Sequence, residues 1–125
     1  MKTNVFCLLA LILFSSILSL SLKHHHDHIK RSVHEECEDF SQYSVTFNAR
    51  CKDANGEFQH ASINLNKMLT FKDGNIVPGK GFAQSCEEFN ISETNLHAKC
   101  NGQDVDVNLD DILFVNEHGR LHCCK

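Results

Sequence analysis

Residues 37–40 read CEDF and residues 47–51 read FNARC; 49 positions later, residues 86–89 read CEEF and residues 96–100 read LHAKC. Both copies therefore place two cysteines at the same spacing around similar short motifs. Internal repetition of this kind fixes an architecture before any single element is assigned. The sequence predicts one domain built from two tandem copies.

The displacement shortens in the remainder of the second copy. Residues 62–66 (SINLN) match residues 106–110 (DVNLD) 44 positions later, and residues 74–76 (GNI) match residues 119–121 (GRL) 45 positions later. The second copy is thus shorter between its second cysteine and its Asn-Leu element. We assign the repeats to about residues 37–85 and 86–124, within a domain of residues 32–125.

Both repeats have the period-two alternation of apolar residues that is typical of half-buried antiparallel strands. Glycines that accept a positive φ angle mark the predicted turns between strands. The predicted fold class is all-β. The residues predicted to face inward, strand by strand, are Val45, Phe47, Ala49 and Cys51; Ala61, Ile63 and Leu65; Leu96, Ala98 and Cys100; and Val105, Val107 and Leu109. The predicted turns are Asn55-Gly56, Asp73-Gly74, Asn101-Gly102 and His118-Gly119.

The amino terminus has the pattern of a secretory signal peptide. Lys2 precedes an apolar run from Val5 to Phe14, and the small residues Ser19 and Ser21 suit signal peptidase. We expect a signal peptide over residues 1–21 and an extracellular, secreted product, with no later apolar stretch long enough to insert in a membrane.

A histidine-rich leader occupies residues 22–31 and ends in the dibasic pair Lys30-Arg31. Three interpretations stay open at this stage. The leader is a propeptide removed after Arg31, a solvated tract, or, with a free amine at Leu22, a Cu(II) site that uses His24 as its third residue.

Cleavage of the signal peptide removes Cys7 and leaves six cysteines in an oxidising compartment, where disulfides are the default. The simplest pairing joins Cys37 to Cys51 and Cys86 to Cys100, each bond contributing ~3 kcal/mol by the chain-entropy estimate. Other pairings remain possible from sequence alone. The adjacent Cys123 and Cys124 either bond to each other or bridge to a second chain, giving a covalent dimer.

Charge and motif content exclude several classes of function. Residues 32–125 hold 8 Lys and Arg against 15 Asp and Glu, a net charge of 8 − 15 = −7. Nucleic acids and anionic membranes call for basic patches instead. No catalytic or metal-binding motif occurs, so we expect neither an enzyme nor a cofactor. Asp110 and Asp111 fit a capping or turn role better than a calcium site.

From Cys37 to Cys123 the chain resembles the cyanovirin-N homology domain. The resemblance rests on the tandem Cys-x-x-Phe openings, the x-Ala-x-Cys strands, the Asn-Leu elements and residues 82–86 (FAQSC) at the junction. It implies a cyanovirin-N-like, pseudo-symmetric β fold whose halves combine strands from both repeats and can be exchanged between protomers. It also implies a lectin for α1,2-linked, high-mannose glycans.

The resemblance further implies two sugar pockets. Amide and hydroxyl side chains that donate and accept in pairs can read vicinal sugar hydroxyls. The first pocket would use Gln84, Ser85, Asn101, Gln103 and Thr70, where family members often carry a carboxylate at the positions of Thr70 and Gln84. The second would use Glu35, Glu36, Lys52, Asn116 and His118.

Two alternatives and one modification remain open. Exposed polar residues beside turns are common in any β protein, so the fold can also serve as a secreted structural or defence module without sugar binding. A module that docks on a protein is the other alternative. Asn90-Ile91-Ser92 is a glycosylation sequon, and secretion makes its use an expectation at Asn90.

Overall fold

The computed structural model describes residues 30–125. The predicted signal peptide over residues 1–21, with Cys7, and leader residues 22–29 lie outside the described residues. Within residues 30–125, no helix combines the length and apolarity that crossing a bilayer requires.

The two repeats fold into the same order of elements. The first comprises helical turn α1 (Val33–Glu36), strands β1 (Cys37–Tyr43), β2 (Thr46–Lys52) and β3 (Phe58–Asn64), 3₁₀ helix η1 (Leu65–Lys67), and strands β4 (Leu69–Lys72) and β5 (Asn75–Pro78). The second comprises η2 (Phe82–Gln84), β6 (Cys86–Ser92), β7 (Asn95–Cys100), β8 (Gln103–Asn108), η3 (Leu109–Asp111), β9 (Leu113–Val115) and β10 (Leu121–Cys123). The all-β prediction is confirmed, with one-turn helices between the strands.

Each repeat forms one three-stranded antiparallel sheet and one hairpin. The sheets are β1-β2-β3 and β6-β7-β8, and the hairpins are β4-β5 and β9-β10. Each hairpin packs against the sheet of the other repeat: β5 contacts β8, and β10 contacts β3. The first half of the molecule is therefore β1-β2-β3 with β9-β10, and the second half is β6-β7-β8 with β4-β5, as the resemblance implied.

The exchanged hairpin β9-β10 approaches the first sheet closely at its loop. The Ala54 N–H donates a hydrogen bond of 2.8 Å to the carbonyl oxygen of Glu117. A Cβ atom added at Gly119 would lie 2.7 Å from the Cys51 carbonyl oxygen, and the φ angle of Gly119 is +73°. Glycine is thus required there both by the close approach and by the backbone conformation.

Alternating burial confirms most of the predicted inward faces. Phe47, Ala49 and Cys51 in β2 are buried, as are their counterparts Leu96, Ala98 and Cys100 in β7, together with Ala61, Ile63 and Val105. Val107 is half-buried. The disulfides join Cys37 to Cys51 and Cys86 to Cys100 as expected, and Cys123 is bonded to Cys124. Each of the first two bonds links residues directly opposite each other on paired strands.

Three residues leave the strands that alternation assigned to them. Leu65 and Leu109 are buried but open 3₁₀ helices, because Asn64 and Asn108 accept hydrogen bonds from the N–H groups two residues on. Val45 lies in a turn, where the preceding Ser44 has a φ angle of +54°. The sequence pattern missed this turn because no glycine marks it.

Asp110 caps the start of the first repeat across the molecule. Its carboxylate oxygen Oδ1 accepts hydrogen bonds from the Val33 N–H at 2.8 Å and the His34 N–H at 3.2 Å, and both carboxylate oxygens accept from the Ser32 hydroxyl. Asn66 of the first repeat, which matches Asp110, makes the equivalent contact to the second repeat. Its side-chain oxygen accepts a 2.9 Å hydrogen bond from the Ala83 N–H. The capping role predicted for Asp110 is confirmed.

Gln42 joins the two halves where β1 meets β6. Its amide nitrogen donates to the Phe89 carbonyl oxygen at 3.1 Å, and its amide oxygen accepts from the Ile91 N–H at 3.0 Å. The side chain thus supplies both bonds that a neighbouring strand would otherwise make to that part of β6.

His97 in β7 lies between two carboxylates of β8. Its Nδ1 atom is 2.8 Å from Asp106, and its Nε2 atom is 3.5 Å from Asp104. The hydrogen bond to Asp106 is the main cause that raises the pKa of His97 above its ordinary value, and both carboxylate charges add to it. Folding therefore stabilises the imidazolium form of His97 relative to the unfolded chain.

We expect Asp110→Ala to lower the free energy of unfolding by about 1–2 kcal/mol, because it removes the acceptor for two helical N–H groups. Urea denaturation measures the loss. Asp111→Ala is the matched control, since Asp111 is exposed and should change stability by less than about 0.5 kcal/mol. Equal losses from the two variants would contradict the capping assignment.

We expect Asp106→Asn to lower the pKa of His97 more than Asp104→Asn does, as measured by NMR titration of the imidazole. Because the pKa is raised in the folded state, the stabilisation is fully present below the unfolded pKa of about 6.5 and is lost as pH rises through the folded value. The stability difference between wild type and Asp106→Asn should therefore shrink as the pH rises through that range. A difference that grew instead would contradict the assignment.

Candidate functional site

An open depression of about 390 Å³ lies where the two cysteine-containing strands of the second repeat begin and end. Its walls come from η2, the start of β6 and the turn between β7 and β8. A 2.9 Å hydrogen bond from the Asn101 N–H to the Ser85 carbonyl oxygen joins the two walls. Cys86, which is bonded to Cys100, is one of the lining residues. The lining residues are Ala83, Gln84, Ser85, Cys86, Glu87, Asn101 and Gly102.

Local structure turns the polar side chains of this first pocket outward. Phe82 is fully buried and anchors η2, while the Gln84 N–H bonds to Gly81, whose φ angle is +83°. Gln84 is consequently exposed at the end of the helical turn. Across the depression, Asn101 has a φ angle of +50° in a tight turn with Gly102.

The structure brings together three of the five residues predicted for the first pocket: Gln84, Ser85 and Asn101. Gln103 is exposed at the start of β8, opposite Cys100, and Thr70 is half-buried on β4, opposite Val77. Neither of these two is among the residues that line the depression.

Glu87 is a lining residue that sequence reasoning missed. It follows Cys86 in β6, is exposed, and lines the same depression as Gln84 and Asn101. The period-two alternation of β6 gave a signal for it, because a residue next to a buried cysteine faces outward. The pocket therefore combines amide, hydroxyl and carboxylate groups without a cationic side chain.

In the second predicted pocket, Glu36, Lys52 and Asn116 meet around the side chain of Arg31. The Arg31 Nη1 atom is 3.1 Å from the Glu36 carboxylate, and Nη2 donates to the carbonyl oxygens of Lys52 and Asn116 at 2.6 Å and 2.5 Å. The Arg31 backbone also pairs with Val115. From the sequence, Arg31 was predicted only as the second residue of a dibasic processing site, and not as a residue of this pocket.

The other two residues predicted for the second pocket lie to the side. Glu35 is exposed on α1, where its N–H bonds to the Ser32 hydroxyl. His118 is exposed and borders two open depressions, of about 410 and 520 Å³. The smaller is lined by Asp53, Ala54, Asn55, Gln59, Glu117 and His118; the larger by His60, Ala61, Ser62, Asn116, His118, Arg120, Leu121 and His122.

Asp53 orders the loop beside the second pocket. Its carboxylate accepts hydrogen bonds from the N–H groups of Glu57 and Asn55 and from the Gln59 amide. The bond from the Glu57 N–H is the largest cause that holds the pKa of Asp53 below its ordinary value. The same hydrogen bonds favour the ionised carboxylate and tie the loop to β3 through Gln59.

Two further predictions concern the surface. Asn90 is exposed on β6, an edge strand, opposite His97, so its glycosylation stays a prediction that exposure favours. Among residues 30–125, no group of three or more His, Cys, Asp or Glu side chains is arranged to hold a metal ion. The His24 hypothesis lies outside the described residues.

Comparison with known proteins gives a family match. The model of the CVNH domain family matches residues 33–122. Among curated protein sequences, none matches the chain.

Several solved structures are similar in fold. A designed cyanovirin-N homolog lectin has a TM-score of 0.66 and 21% identity, with 74% of this chain and 98% of that one covered. A MoCVNH3 variant in complex with (N-GlcNAc)4 has a TM-score of 0.59 and 14% identity, covering 72% and 95%. Microvirin in complex with mannobiose has a TM-score of 0.55 and 16% identity, covering 76% and 97%.

Proposed function

This chain belongs to the CVNH domain family, and we propose that it is a secreted lectin that binds mannose-type glycans through the first pocket. The composition of that pocket is the observation that carries the proposal. Gln84, Ser85 and Asn101 offer paired donors and acceptors, which suit a neutral ligand with adjacent hydroxyl groups. A volume of about 390 Å³ falls in the range of small-ligand sites.

Glu87 strengthens the case for sugar. A carboxylate accepts hydrogen bonds from two neighbouring hydroxyls and makes stronger bonds than a neutral acceptor. The chain lacks the carboxylates that family members often carry at the positions of Thr70 and Gln84, and Glu87 supplies a carboxylate at the depression that Gln84 lines.

Binding without bond cleavage is part of the proposal. Glycoside hydrolysis ordinarily uses two carboxyl groups that flank the scissile bond. The first pocket is lined by one carboxylate, that of Glu87. The walls therefore suit recognition of a glycan more than its hydrolysis.

Proteins of similar fold suggest which sugars to test as ligands of the first pocket. Microvirin is solved with mannobiose and the MoCVNH3 variant with (N-GlcNAc)4, so both sugars belong in the first experiment. We propose mannose as the ligand here because the family resemblance implies it. A structural or protein-docking module of the same fold is the outcome if neither sugar binds.

We expect Gln84→Ala to weaken binding to mannose-terminated glycans about tenfold, since about 1.4 kcal/mol is lost with the hydrogen bonds of one amide. A glycan array followed by titration calorimetry with mannobiose measures the effect. Gln103→Ala is the matched control, because this glutamine is exposed outside the lining, and it should change affinity less than twofold. Equal effects would contradict the placement of the site, and no binding by folded wild type would contradict the lectin proposal.

Secretion has its own test. Expressed in a eukaryotic secretory host, the chain should reach the medium without residues 1–21, and intact mass would show whether it begins at Leu22 or at Ser32. Because the described domain is closed by its disulfides, the same mass should be lower by six hydrogens than that of the reduced chain. A product retained in cells with Met1 still present would contradict export.

A further inference from the structure

Arg31 fills the second pocket as a ligand would. Its guanidinium contacts four acceptors: the carboxylate of Glu36 and the backbone carbonyl oxygens of Lys52, Asp53 and Asn116. Three of these four residues are ones that the family resemblance assigned to a sugar pocket. The Arg31 and Glu36 side chains retain only 22% and 26% of their exposure, so the contact is largely closed to solvent.

The position before the second repeat that matches Arg31 makes no such contact with a pocket. Counting along the repeat, the residue 49 positions after Arg31 is Lys80. Lys80 is exposed and makes no hydrogen bond or ion pair with any residue between 30 and 125. Lys80 is not among the residues that line the first pocket, whereas Arg31 fills the second, so the cation at this repeat position behaves differently in the two repeats.

A sugar and the Arg31 guanidinium would compete for the same atoms. Sugar hydroxyls donate to carboxylate and carbonyl oxygens, and the guanidinium presents five N–H donors in a rigid fork that already engages them. Both cannot occupy these acceptors at once. The second pocket is therefore available only when Arg31 is displaced.

We infer that Arg31 is a built-in plug that closes the second pocket, and that cutting the chain after Arg31 opens it. This inference rests on the proposed lectin function. The step is hydrolysis of the Arg31–Ser32 peptide bond by a secretory serine protease specific for paired basic residues: water adds across the amide, Arg31 keeps the new carboxylate, and Ser32 gains the amine.

The residues that follow the Arg31–Ser32 bond are held in place independently of Arg31. Ser32, Val33 and His34 are bonded to the Asp110 carboxylate, and Val33 is fully buried. After cleavage Arg31 is no longer tied covalently to Ser32, and only its backbone pairing with Val115 and its side-chain contacts hold it in place. The cleaved domain thus keeps the hydrogen bonds between Asp110 and residues 32–34, while the segment that ends at Arg31 is free to dissociate.

Opening the second pocket would change valency as well as occupancy. A chain with Arg31 in place binds glycan at one pocket, and a chain without it binds at two. Linked sites on one branched glycan or surface raise the apparent affinity without any new contact at the first pocket. Removal of Arg31 is then a switch from monovalent to bivalent binding.

The test uses Arg31→Ala in the chain that retains residues 22–31, verified by intact mass, with Lys30→Ala as control. Lys30 contacts the Cys124 carbonyl oxygen and the Phe114 ring and none of the four acceptors. NMR titration with mannobiose should perturb the first pocket alone in wild type and in Lys30→Ala. In Arg31→Ala it should also perturb the amides of Lys52 and Asn116, with stoichiometry rising from one to two.

A second titration with methylguanidinium separates the plug from the lectin proposal. This cation should bind Arg31→Ala but not wild type, and binding should weaken at least tenfold when Glu36→Gln is added. Folded Arg31→Ala that neither binds methylguanidinium nor gains a second mannobiose would overturn the inference, as would cation binding with mannobiose still at one site. Absence of mannobiose from both pockets contradicts the proposed function, and the cation titration then decides whether Arg31 fills a separable site.

Discussion

The exchange of hairpins between the two repeats is the constraint on which the rest of this structure depends. A three-stranded sheet with one apolar face must cover that face, and neither repeat keeps its own hairpin for the purpose. The β9-β10 hairpin covers the first sheet and β4-β5 covers the second. Asp110 and Asn66 lie just before these hairpins, and each caps the helical turn that begins the half it serves. Pseudo-symmetry is therefore maintained by contacts between repeats.

That symmetry does not extend to what the pockets present. The first pocket displays Gln84, Asn101 and Glu87 at an open depression. At the corresponding place, the second turns backbone carbonyl oxygens and Glu36 toward Arg31. Small substitutions at matched repeat positions thus give one scaffold two different surfaces. A duplicated fold can hold one site constant while the other is put to a different use.

Sequence reasoning found the features that are local or periodic. The repeat, the alternating faces of β2 and β7, the glycine turns and the cysteine pairs all leave short-range marks. It missed turns and bulges in which a residue other than glycine adopts a positive φ angle. Ser44 and Glu93 close hairpins with positive φ angles, and Asp39 and Glu88 adopt them at bulges in β1 and β6. Arg31 was missed as a pocket residue because its partners lie 5 to 85 positions away, a relation that only the folded chain creates.

The placement of β9-β10 also has a consequence for folding during synthesis. The first sheet is complete by Asn64, yet its cover ends at Cys123, 123 − 64 = 59 residues later. At about 5–20 residues per second, several seconds of translation separate the two. During that interval the apolar side of β1-β2-β3 has no partner, and the local Cys37–Cys51 crosslink is available to hold the strands in register. The second half, whose cover precedes its sheet, is complete by Asn108 and has no such delay, so this half is free to finish folding before the first.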